Sequence, residues 1–220
     1  MLPQDPEREA VGRSISALLM ARQIKASGQI HAPTLMSELG ALAGFSVQMS
    51  IRKAIIEPQK IEPDTLLVEA VTRSGEKYFF SDLMNFMLFE NMEAPPYSVW
   101  AYVADAVPAD AWVLLPDIAD IVSHAARSIG SRRFGVPRVP PPHAPHKPPR
   151  AALDEHWAMI RDELIASRRD AAGWPYDLAA AARWQMLTGR ETLELPLAAT
   201  IVMEAAVPMS KVDPATVPGA

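Results

Sequence analysis

Three residues of the chain have the types and spacing to do chemistry together. Asp117, Asp120 and His124 stand at i, i+3 and i+7, which places them along one side of a helix, opposite Ile118 and Ile121. Two carboxylates and an imidazole at that spacing can serve as metal ligands. Alternatively, Asp120 can orient His124 as a general base in a hydrolase-like enzyme. The competing reading is a solvated face with an acid–histidine pair one turn apart, and the composition favours it. No HExxH supplies further ligands, and there is no GxSxG, Walker loop, GxGxxG or SxxK. No cofactor is expected.

A second cluster is cationic. Arg127, Arg132 and Arg133, with Arg138 close behind, fall at the end of the same helix. They can grip a phosphate or carboxylate, or simply complement the helix dipole. A third cluster is apolar: Met84, Met87 and Phe89 stand in the run Leu-Met-Asn-Phe-Met-Leu-Phe. Methionine adapts to irregular shapes, so these residues either line a pocket for a small apolar ligand or fill gaps in a core.

The elements that must position these clusters follow from the hydrophobic pattern. The organising stretch runs from Pro33 to Glu57, with no charge between Glu38 and Arg52. Leu35, Leu39, Leu42 and Met49 recur at helical spacing beside Phe45, Ile55 and Ile56, so a helix buried on most sides is expected. Gly40 and Gly44 lie one turn apart on one face, where missing side chains let another backbone come close. Before it, Asp5-Pro6 starts a helix that Gly28 stops. After Pro63, two β-rich runs around Ser74-Gly75 predict a hairpin over residues 66–80. Helices are then expected over 82–91, 98–107 and from Pro116 to Ile129.

Residues 134–150 hold seven prolines and cannot continue a helix or a central strand. They predict an extended arm between a helical domain of residues 1–133 and a helical region of residues 151–208. Within that region, helices are expected over about 151–170, 176–188 and 195–207. The tail, residues 209–220, is expected to be disordered. Spacings such as Pro142-x-x-Pro145-x-Lys147 match the general form of proline-rich protein ligands. His143, His146 and Lys147 are too flexibly placed to fix a metal's geometry. The fold class is mainly α with a small β-hairpin.

Composition bounds the partners. The net charge is −5, and neither side of Arg133 is net basic, which argues against nucleic acid. Leu39–Ile51, the longest uncharged run, is too short to span a membrane at roughly 20 residues. The acidic, proline-bearing start is unlike a signal peptide. With no cysteine, disulfides and thiol chemistry are excluded, and a cytoplasmic location is expected. The leading expectation is a non-enzymatic helical protein acting through self-association, most simply a two-fold homodimer, or through a protein partner met by the proline arm. Small apolar ligand binding comes second, and an enzyme or metal site using Asp120 and His124 third.

Overall fold

The computed structural model describes residues 5–89 and 97–220. The chain is mainly α with one two-stranded antiparallel sheet. Helix α1 (Pro6–Ser27) starts where a side-chain acceptor meets proline: the Asp5 carboxylate accepts from the Arg8 amide, and Gly28 ends the helix at φ 77°. Helix α2 (Ala32–Ser50) is the buried axis, and every residue from Pro33 to Ser50 lies in the interior. It continues as one π-helical turn, Ile51–Ile56, and then as α3 (Glu57–Gln59). Wider turns of this kind reposition side chains along a helix. Here Arg52 stacks over the Phe79 ring at 4.6 Å.

Strands β1 (Val68–Val71) and β2 (Lys77–Phe80) pair with Val68 opposite Phe80 and Val71 opposite Lys77, around the positive-φ Gly75. Helix α4 (Asp82–Phe89) follows, with its start tied by the Ser81 hydroxyl accepting from the Leu83 amide. The predicted continuation of this helix to residue 91 lies outside the described residues. Next come α5 (Val99–Asp105) and α6 (Ile118–Ser128). Beyond the proline arm are α7 (Pro149–Ala166), α8 (Trp174–Thr188) and α9 (Leu195–Met209).

One hydrophobic core runs through α1, α2, α7, α8 and α9, so the arm does not divide the chain into two cores. The closest seam joins α2 to α9. A Cβ added at Gly40 would overlap the Val202 carbonyl, and one at Gly44 the Ala206 carbonyl. The two backbones therefore touch where the glycines leave room. Ala198, Ala199, Ala205 and Ala206 are buried on the α9 side. Small side chains that suggest a weak core in sequence are what this close approach requires. A second approach joins α1 to α8, where the Gly12 backbone meets Ala181.

The tail also departs from expectation. Phe79 donates its amide to the Lys211 carbonyl at 2.9 Å, and Val212 bridges Tyr78, extending the hairpin by one short pairing. Val212 and Val217 are buried, and Arg150 holds the Thr216 carbonyl at 2.6 Å. An unpaired sheet edge plus two apolar side chains give the tail something to dock on.

Candidate functional site

Asp117, Asp120 and His124 lie along α6 with separate partners. The Asp117 carboxylate caps α6, accepting from the Ala119 amide at 2.9 Å. Asp120 is ion-paired with Arg138 at 2.7 Å. His124 borders a closed gap against Glu204 and Val136. With both carboxylates engaged elsewhere, no ligand set converges. Among the described residues, no group of three His, Asp or Glu stands close enough to hold a metal.

Arg127, Arg132 and Arg133 are exposed, and among the described residues none has an ion pair. Their neighbour Arg138 behaves differently. It donates to the Glu204 carboxylate at 2.6 and 2.9 Å while also holding Asp120. Hydrogen bonding to Glu204 raises the Arg138 pKa above its ordinary value, so the guanidinium stays charged. Glu204 is only 5% exposed. The arm is thus fastened to α9 of its own chain.

Met84 is fully buried in the core, and Met87 and Phe89 are half-buried against it. A methionine-lined cleft does exist, but elsewhere. It has a volume of about 740 Å³ and is lined by Met20 of α1, Leu35 and Met36 of α2, and Met186 of α8. Trp184, Ala198, and Pro142 and His143 of the arm also line it. Gln185 donates to the Met20 sulfur at 3.0 Å. Among the described residues, no Asp, Glu, Lys or Arg lines the cleft, and the titratable side chains lining it are His31 and His143.

His31 also marks the start of α2. Its amide donates to the Gln23 side chain at 3.0 Å, and its Nδ1 lies 2.8 Å from the Thr34 hydroxyl. The same hydroxyl accepts the His146 amide at 2.9 Å. The two rings stack face to face, with centroids 3.6 Å apart and planes within 9°. Burial and, after it, the neighbouring His146 lower the His31 pKa below the usual imidazole range.

Two other buried charges serve architecture. Asp177 is wholly buried and accepts from Arg169 at 2.9 and 3.0 Å and from Arg8 at 3.0 Å. Burial pushes its carboxyl up, and the two guanidiniums pull it back. Arg8 lies between the rings of Tyr97, Tyr102 and Tyr176, which pins α1 to α8. Lys211 is held down to about 8 by burial and lies over the Phe80 ring.

In comparisons with known proteins, no family model matches the chain, and no curated protein or solved structure matches it. Among the described residues, no helix is long and apolar enough to cross a membrane. None of Met84, Met87 and Phe89 lines the methionine-lined cleft. The cleft draws on segments from Met20 to Ala198, and no local spacing announces such an assembly.

Proposed function

We propose that the protein binds a small, uncharged, predominantly apolar molecule in the cleft between α1, α2, α8 and the proline arm. The observation that supports this reading is the lining itself. A cleft of about 740 Å³ falls within the size range of small-molecule sites, which are mostly apolar with few polar groups. A charged ligand would lose its hydration there without finding a counter-charge. Methionine walls and an indole suit a flat or elongated apolar body.

The test is a titration of the full chain with Nile red, an uncharged fluorophore. Saturable binding at one site is expected. Ala32→Phe, which puts a ring into the cleft from a half-buried position, should weaken it about ten-fold while leaving the thermal melt in place. Unsaturable binding, or equal binding by the variant, would overturn the reading.

A second observation favours association with protein. Trp112, Val113 and Leu114 are consecutive and 57%, 87% and 65% exposed, an apolar run of the kind that marks contact surfaces. We infer that the chain self-associates through this turn. The arm lies on its own chain, so exchange of the arm is not needed to cover the C-terminal helices. Light scattering should show a dimer that Val113→Asp converts to a monomer. A wild-type monomer at all concentrations would remove this reading.

A further inference from the structure

The cleft has one wall that is not helix. Pro142 and His143 of the arm line it, and just beyond them the stacked His31–His146 pair and the shared Thr34 hydroxyl fasten the arm to the start of α2. The arm is also held by Arg138 at its start, by Val139 packed against the core, by Lys147 paired with Glu155 of α7, and by the buried Pro149 at its exit. The segment between carries several exposed prolines that donate no backbone hydrogen bond. Its attachment therefore depends on a few contacts, and the histidine stack is the one that can change charge near neutral pH.

We propose that the His31–His146 stack is a proton-sensitive latch that keeps the arm closed against the cleft and releases it when His31 takes up a proton. The gating of binding rests on the proposed ligand site, whereas movement of the arm does not.

Among the described residues, the titratable groups of the surrounding elements form no ion pair with either ring. On the arm, Lys147 is paired with Glu155 of α7 at 2.6 Å. His143 lines the cleft itself. On α2, Glu38 is turned to Gln23 of α1, at 2.9 Å, and to His156 of α7, at 3.7 Å. Lys25 ends α1, and Arg190, Glu191 and Glu194 are exposed on the turn before α9.

A proton on His31 thus meets the His146 ring, the nearby positive end of α2 and a partly dry environment. The closed form holds a proton less readily than the open one, so closure is fully present above the ordinary histidine range. It weakens as pH falls below about 6.5. A latch of two half-exposed rings is a modest switch, worth a few-fold change.

Amide hydrogen exchange on the full chain without ligand tests it directly, because the His146 amide is itself one of the latch bonds. Between pH 7.5 and 5.5, after correction for intrinsic rates, protection over residues 143–147 should fall about three-fold. Protection over residues 40–48 should not change. His146→Phe keeps a flat ring that takes no proton, so it should retain protection at the lower pH. Should that variant fail to fold, the wild-type comparison still decides. Equal protection at both pH values, or the same loss in His146→Phe, would overturn the latch. Nile red titrations at the two pH values separate the two ideas. A changed exchange pattern without any binding leaves the latch standing and removes the ligand site.

Discussion

The two ends of α2 are built differently. Around Gly40 and Gly44 the helix is closed by backbone contact with α9, and no side chain is needed to fill the seam. At its first turn, Leu35 and Met36 stand toward a space that α9, α8 and the arm surround without filling. The same apolar helix therefore holds the molecule together at one end and leaves room for a guest at the other. What separates them is side-chain size. Small residues on both partners let backbones meet, and larger ones beside a proline segment hold neighbours apart.

The strongest way to break that contrast is Gly44→Ala. One methyl group there overlaps the Ala206 carbonyl, backbone that cannot turn away, so the seam must open along its length. The expected loss is about 3–5 kcal/mol, despite alanine's better helix propensity. Chemical denaturation would measure it, and an unchanged midpoint would show that the two helices do not touch there.

A smaller effect is expected where the arm meets α9. Arg138→Ala leaves the buried Glu204 carboxylate without its donor and should cost about 2 kcal/mol. The smallest is expected from Asp120→Ala, which removes the exposed partner of the same arginine and should change stability by less than about 0.5 kcal/mol. Equal losses from the two substitutions would mean that the ion pair at Glu204 carries no more weight than a surface contact. The contrast between a sealed seam and a lightly fastened arm would then need redrawing.

Much of the fold was legible because local chemistry sets it. Asp5-Pro6 and Gly28 bound α1 as the capping preferences of those residues require, and Ser74-Gly75 turns the hairpin. The buried α2 and its glycine face followed from spacing alone. The role of α9 was not legible, because alanines carry little apolar bulk and take on meaning only against the glycine face of α2, which lies far away in sequence. The tail was misread for a related reason. Val212 pairs with Tyr78 of β2 and Arg150 of α7 holds the Thr216 carbonyl, partners that are distant in sequence. At the candidate site, the residues grouped by sequence spacing are dispersed to capping, ion pairing and core filling. The cleft gathers residues that spacing cannot connect.

The α2–α9 seam also sets an order of events during synthesis. Gly44 and Ala206 touch, yet the ribosome makes one roughly 160 residues before the other. At about 5–20 residues per second, the uncharged face of α2 waits on the order of ten seconds or more for the helix that covers it. Until then the nascent chain carries an apolar helix without its closest partner, which is a natural substrate for a chaperone and a nucleus for aggregation. Folding to completion is therefore held back until the last long helix emerges.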